Sequence, residues 1–430
     1  SFCNHFDARG RAAMPPPLSF SSAPRWSLHC KTIFLPNWDR LSIRLIAAAL
    51  RREGFEARAL EENRRNIRKS LRRNTGQCLP LNIITQDFVD TVQRQGLDPT
   101  DTVLWMPRST IACNIRLYPL HISRLLAEIG GGFERAGVYT GQVSFSELSA
   151  RLPIRVYMAY MLGGLLRKAG CRIRPYEKVD GDTDRAVEKA LTVLEDAFVQ
   201  GRGRDAAVAE AAGILKAVPT KGAGDRRPQV AIFGDLYVRD NEVFNQDLVR
   251  FIEKNGGEVV TTPYSEYVRM IAGQYLRKWF VEGNYLDVLS SKAIMTAAGM
   301  LEKRVYRPFE PLLGVSLPRY DDSPREILSR FGVRVEHTGE SMDNLLKVHY
   351  LARDYPDLSL FVQVSPAFCC PSLVTEAMAW KIEQVTGIPV ASITYDGTGG
   401  AKNDAVVPYL QYPRRRGVEG EPAEERRRTS

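Results

Sequence analysis

Hydrophobic positions along the chain switch repeatedly between short apolar runs and helical spacing. Thr32-Ile33-Phe34-Leu35 is a run fit for a buried strand, and Leu41 to Glu53 then carries apolar residues at helical intervals until Gly54. Phe55 to Leu60 predicts a second strand. A polar helix follows, then Cys78 and Pro80, and an amphipathic helix through Ile83, Ile84, Phe88 and Val92. Thr102 to Met106 predicts another strand, ended by Pro107, with Cys113 in the loop beyond.

From 151 to 216 the pattern is Ala- and Leu-rich and helical, over Val156 to Leu166 and Ala186 to Phe198. Pro219 to Arg227 reads as a linker. The alternation then resumes with the strand Val230 to Phe233, the helix Leu248 to Lys254 and the strand Glu258 to Thr261. Leu358 to Val364 predicts a buried strand, followed by Cys369-Cys370, a helix from Ser372 to Gln384 and a last strand from Val390 to Tyr395. Alternating strands and helices predict parallel sheets. The expected fold is α/β: two doubly wound parallel-sheet domains of Rossmann or flavodoxin-like type with a helical insert. The expected division is a loosely ordered lead-in over 1–30, a first α/β domain over 31–150, a helical segment and linker over 151–225, a second α/β domain over 226–410 and a disordered tail over 411–430.

At 430 residues and 44% hydrophobic, the chain can bury more than one core. It has no run of eighteen uncharged apolar residues and no basic-then-apolar leader, so neither a membrane span nor a secretion signal is expected, and the cytoplasm is the expected location. The net charge of +9 raises nucleic acid as a partner, and Arg64, Arg65, Arg68, Arg72 and Arg73 form a dense basic run. No nucleic-acid motif accompanies the charge, so the run is read as a solvated helix face and nucleic acid is not expected. The seven cysteines are odd in number in a chain without a secretion signal, which argues against a disulfide framework.

Ligands of open parallel sheets bind beyond the carboxyl ends of the strands. Cys113, Cys369 and Cys370 fall there. Cys78 and Cys370 each precede a helix whose first turn holds a proline, Pro80 or Pro371, and a sulfur at a helix start is favoured as the thiolate that metal ligation requires. The competing reading of each is a buried small hydrophobe, because no tight pair of the Cys-x-x-Cys kind occurs. Gly397-Thr398-Gly399-Gly400 reads as a turn rather than a phosphate loop. His5, His29, His121, His337 and His349 lack ligand spacing. Asp235, Arg239 and Asn241 follow a strand end and either reach the site or lie on the surface, and Phe368 and Tyr395 are candidates for excluding water.

Thr75-Gly76-Gln77-Cys78-Leu79-Pro80, Met106-Pro107 with Cys113, and Phe368-Cys369-Cys370-Pro371 resemble the three cysteine motifs of the 2-hydroxyacyl-CoA dehydratase and benzoyl-CoA reductase superfamily. The likeness is to its activase-related branch near the double-cubane cluster proteins. Arg174-Pro175-Tyr176-Glu177, Gly181-Asp182-Thr183-Asp184, Gly234 to Arg239, and Tyr395-Asp396-Gly397 with Asn403 extend it over about residues 31 to 410. The resemblance implies an iron-sulfur cluster held by Cys78, Cys113 and Cys369, with Cys370 a further candidate ligand. Leu81 stands where many relatives have another cysteine, and Ile111-Ala112-Cys113-Asn114 replaces Gly-Pro-Cys-Arg. A single 4Fe-4S cluster therefore fits the thiols better than a double cubane. The resemblance further implies low-potential electron transfer in anaerobic metabolism, as a reductase or dehydratase component. It also implies an ATP-dependent activase-type reductase as partner, a homodimer or related subunit, and an acyl-CoA substrate. The alternative is a non-catalytic electron-relay or assembly subunit. An RNA-associated protein without a cluster is the remaining reading.

Overall fold

The computed structural model describes residues 28–109, 113–201, 203–222, 226–281, 296, 298–334, 336 and 339–414. Most of the expected lead-in, most of the tail, and His5 and His337 lie outside the described residues. Strands β1 (Thr32–Leu35), β2 (Ala57–Ala59), β3 (Thr102–Pro107) and β4 (Gly137–Gly141) form one parallel sheet in the order β2-β1-β3-β4. Strands β5 (Gln229–Gly234), β6 (Glu258–Val260), β7 (Leu358–Pro366) and β8 (Val390–Tyr395) form a second parallel sheet in the order β6-β5-β7-β8. The expected α/β class and parallel pairing are therefore observed.

Alternation along the strands assigns side chains to cores, because successive residues point to opposite faces. Ile33, Leu35, Val103 and Trp105 enter one core, packed with the helices Arg40–Arg52, Leu152–Ile173, Asp182–Gln200 and Arg204–Lys216. Phe34, Leu104 and Met106 point the other way, into a core that also takes Val230, Ile232, Leu360, Val362 and Ile393 from the second sheet. That shared core joins the two sheets. The opposite face of the second sheet offers Ala231, Phe233 and Phe361 to a third core with the helix Glu340–Asp354.

The long helix Leu152–Ile173 is buried on nearly every side, which is why its residues read as apolar all round. Two adjacent glycines let it touch both halves. A methyl group on Gly163 would lie 2.6 Å from the Ser42 backbone nitrogen, and one on Gly164 would lie 2.8 Å from Pro263 Cγ. One turn on, the buried Arg167 bridges the halves, 2.7 Å from Asp39 and 3.0 Å from Asp240. Asp39 is also the N-cap of Arg40–Arg52, accepting from the backbone N–H groups of Leu41 and Ser42.

One expectation changes, and several elements had none. The single helix over Ser372 to Gln384 is two, Cys370–Ala377 and Ala379–Thr386, and the break at Met378 redirects the chain so that Ile382 is buried while Trp380 is exposed. Strand β4 and the helices Tyr118–Ile129, Tyr264–Val281 and Glu340–Asp354 lacked a clear sequence pattern; in the last, Glu340, Ser341, Asp343, Asn344 and Lys347 are polar and yet buried. Among the described residues no helix is long and apolar enough to cross a membrane.

Candidate functional site

The carboxyl ends of the two sheets converge on one cavity of about 370 Å³. Its walls are largely apolar and aromatic, with Trp38, Ile84, Met106, Tyr160 and Tyr264 among them, and its polar groups are few. Three sulfurs meet at this end. Cys78 is the N-cap of the helix Leu79–Arg94, Cys113 the N-cap of the turn Asn114–Leu117, and Cys369 the N-cap of Cys370–Ala377. Cys78 and Cys113 line the cavity, Cys78 is within hydrogen-bonding reach of Cys369, and Cys113 lies in the field of Cys369 and Asp235. The Leu79 N–H donates to the Ala367 carbonyl at 3.4 Å, so the first and third cysteine loops are held together by backbone as well.

Local conformation aims these groups. Phe368 has φ 66°, a left-handed conformation that costs a non-glycine residue about 1 kcal/mol or more, and it turns the chain sharply just before Cys369. Gly234 ends β5 at φ 117°, with its α-carbon so close to β7 that a methyl group would lie 2.9 Å from the Val364 nitrogen. Only glycine fits there. The next residue, Asp235, donates its N–H to Val364 and accepts from the N–H groups of Tyr237 and Val238, each at 2.9 Å.

Asp235 is buried beside Cys369, whose thiol donates to it at 3.9 Å, and Glu340 is buried next to both. Ligand atoms of Asp235, Glu340 and Cys369 lie within 4.8 Å of one another, a group that could hold a metal ion. Burial raises the affinity of both carboxyl groups for protons, and for Glu340 the negative field of Asp235 and Cys369 adds to it. The thiols respond in the same way. The hydrogen bond to Cys369, then burial, raises Cys78, and burial, then Glu340, pushes Cys113 up to about 12. A bound cation would relieve this crowding of acidic groups by replacing their protons. Tyr118, fully within the protein, hydrogen-bonds Cys78 and disperses charge on that sulfur.

Behind the carboxylates lie two buried cations. Arg239 ion-pairs with Asp240 at 2.9 Å and stacks 4.4 Å from the Tyr264 ring centroid. Lys347 has no hydrogen-bond partner for its ammonium group and sits 5.2 Å from the Tyr267 ring centroid. Burial, followed by the field of Arg239, lowers Lys347 to about 7.

The remaining sequence candidates divide. Cys370 is exposed, 3.8 Å from the Asn114 amide, and does not share the enclosed position of Cys369. Asp235 lines the cavity, while Arg239 and Asn241 are buried rather than on the surface. Phe368 is 54% exposed and shields nothing; Tyr395 is buried with its hydroxyl on Asn403 at 2.7 Å. Gly397 to Gly400 is a turn closed by Asp396 and Thr398, lying against Ile67 and Leu71 of the helix Arg64–Leu71. Arg64, Arg65 and Arg68 of that helix are exposed, as a solvated face requires. Sequence reasoning missed Glu340 and Tyr118; neither carries a local signal, and only packing brings them in. A scan of protein-family models finds no match to this chain, and a search of curated proteins finds none either.

Proposed function

We propose that the protein carries a single 4Fe-4S cluster on Cys78, Cys113 and Cys369 and works in low-potential electron transfer to a ligand in the adjoining cavity. One observation carries this reading: Cys78 and Cys113 line one cavity and Cys369 is within hydrogen-bonding reach of Cys78, although the three come from loops far apart in the chain, each at a helix start. The family resemblance of the three cysteine motifs supports it independently. Such a cluster would be held by the thiolates of Cys78, Cys113 and Cys369 and would supply one electron at a time at low potential. The chain's own part is to enclose the site in apolar walls, hydrogen-bond the Cys78 sulfur through Tyr118 and surround it with the charges of Asp235, Glu340 and Arg239. The electron would come from an ATP-dependent activase-type reductase, and an acyl-CoA is the substrate class the resemblance implies.

A second reading rests on its own observation. Asp235, Glu340 and Cys369 have mixed oxygen and sulfur ligands at a spacing that suits one divalent cation. Anaerobic reconstitution followed by metal and acid-labile sulfide analysis separates the two. The cluster reading expects about four irons and four sulfides per chain, lost in Cys78→Ala, Cys113→Ala and Cys369→Ala and retained in Cys370→Ala. One metal without sulfide, lost in Asp235→Asn and retained in Cys78→Ala, would replace it with the mononuclear reading.

A further inference from the structure

The cavity has a hydrogen-bonded connection through Tyr237 that the cysteine chemistry does not use. Tyr237 lines the cavity, and its hydroxyl donates to Glu62 Oε1 at 2.8 Å. Glu62 is half-buried between the exposed Glu61 and Asn63, and its carboxyl group is gripped by two further donors: Asn241 Nδ2 on the same oxygen and Asn37 Nδ2 on the other, at 3.3 Å. Asn241 is itself fixed by donation to the Asn37 carbonyl at 3.1 Å and by accepting from the Phe244 N–H at 2.9 Å. Two geometric features of an acid–base pair are therefore present: a carboxyl group with a defined position and a cavity-lining tyrosine whose hydroxyl touches it.

The charges facing Glu62 are predominantly acidic. Glu242 comes from the loop that carries Tyr237 and Asn241, and Asp87 from the helix Leu79–Arg94; Asp87 is held by Asn66 at 2.9 Å and leaves its other oxygen without a partner. No cation forms a salt bridge with Glu62 among the described residues. Burial, with Glu242 adding to it, raises Glu62 to about 8 against the opposing hydrogen bonds. Asn37 Oδ1 is buried without a partner. A side-chain amide flip would turn that oxygen toward a protonated Glu62, so the pocket can satisfy the acid as well as the carboxylate.

We propose that Glu62 and Tyr237 form the proton-donating pair of this cavity. When Glu62 is protonated its hydrogen bond to Tyr237 reverses, the acid donating to the phenol oxygen and the Tyr237 O–H rotating from Glu62 to the cavity. The Tyr237 O–H bond then breaks as its proton passes to a lone pair on the cavity's ligand, and in the same step the Glu62 carboxylic proton moves to the Tyr237 oxygen. Glu62 is left as a carboxylate on the Asn241 and Asn37 N–H groups and is refilled from water. The proposal rests on the reading of the cavity as a site of reduction only for its second test, because an acceptor that gains electrons must also gain protons.

The first test needs no metal. In metal-free protein labelled with 13C at glutamate carboxyls, difference infrared spectra expect a protonated carboxyl band that disappears as pH rises through about 8 and is missing from Glu62→Gln. Tyr237→Phe, which keeps the ring, moves that titration. An ionised Glu62 at pH 6 would overturn the proposal. The second test uses reconstituted protein, with proton uptake after rapid reduction followed by a pH indicator. Tyr237→Phe and Glu62→Gln are expected to slow uptake by about a hundredfold while electron uptake stays unchanged, with partial rescue by Glu62→Asp. Wild-type uptake rates in both variants would also overturn it. Protein that binds no iron at all would defeat the cluster reading instead, with the infrared result still deciding the pair.

Discussion

The two sheets have the same strand order, and their ends nevertheless do opposite electrostatic work. In each, the third strand runs into a cysteine loop: Cys113 after β3 and Cys369 after β7. In each, the first strand is followed by an aspartate. Asp39, after β1, caps a helix and is neutralised by Arg167. Asp235, after β5, has no salt bridge among the described residues and shares its burial with Glu340 and Cys369. The first sheet's aspartate is ion-paired and helps hold the halves together, whereas the second's is buried at the cavity among acidic neighbours that favour its protonated form. A repeated topology thus places an ion-paired aspartate after one first strand and a buried acidic cluster after the other.

That contrast can be broken most strongly at Arg167. Arg167→Ala leaves Asp39 buried without its ion-pair partner, while Asp240 keeps only Arg239, and is expected to cost about 3–5 kcal/mol in urea unfolding. A loss below about 1 kcal/mol would mean the bridge does not join the halves. Gly163→Ala and Gly164→Ala probe the same junction sterically, one against each half, and each is expected to cost about 1–3 kcal/mol. Unequal losses would say which half the helix Leu152–Ile173 is more tightly fitted to.

Lys347→Met tests the opposite situation, a buried amine with no salt bridge among the described residues of the second half. Its folded value of about 7 lies below the usual lysine value of about 10.4, so the unfolded chain binds more protons between those limits. The Lys347 contribution to stability should therefore rise from pH 7 toward pH 10, so the wild type should gain on the variant over this range, and the variant should be at least as stable at pH 7. Chemical denaturation of both proteins at pH 7, 8.5 and 10 checks the sign; a difference between wild type and variant that does not move in the wild type's favour as pH rises would show Lys347 to be charged. The smallest effect is expected at Arg304→Ala, whose pairing with Asp205 is exposed on both sides, with a change under about 0.5 kcal/mol.

Much of the framework was legible because it is local. The runs at Thr32 to Leu35 and Val390 to Tyr395 coincide with strands, and the helix Leu248 to Lys254 has the expected limits. Cys78, Cys113 and Cys369 were legible as candidates from their places after strands or before prolines. Glu340-Ser341-Met342-Asp343-Asn344 was not, since five mostly polar residues read as surface and are buried in the structure. Gly137 to Gly141 was missed as a strand because its glycines hide the alternation.

The order of apolar and polar residues by itself set the α/β class and the parallel pairing, because strand and helix periods act over a few neighbours. Tertiary structure alone decided that three cysteine loops meet, that Asp235 stays without an ion pair while Asp39 gains one, and that Tyr237 links the cavity to Glu62. Burial and charge compensation depend on which distant segments pack together, and no short stretch of chain contains that information.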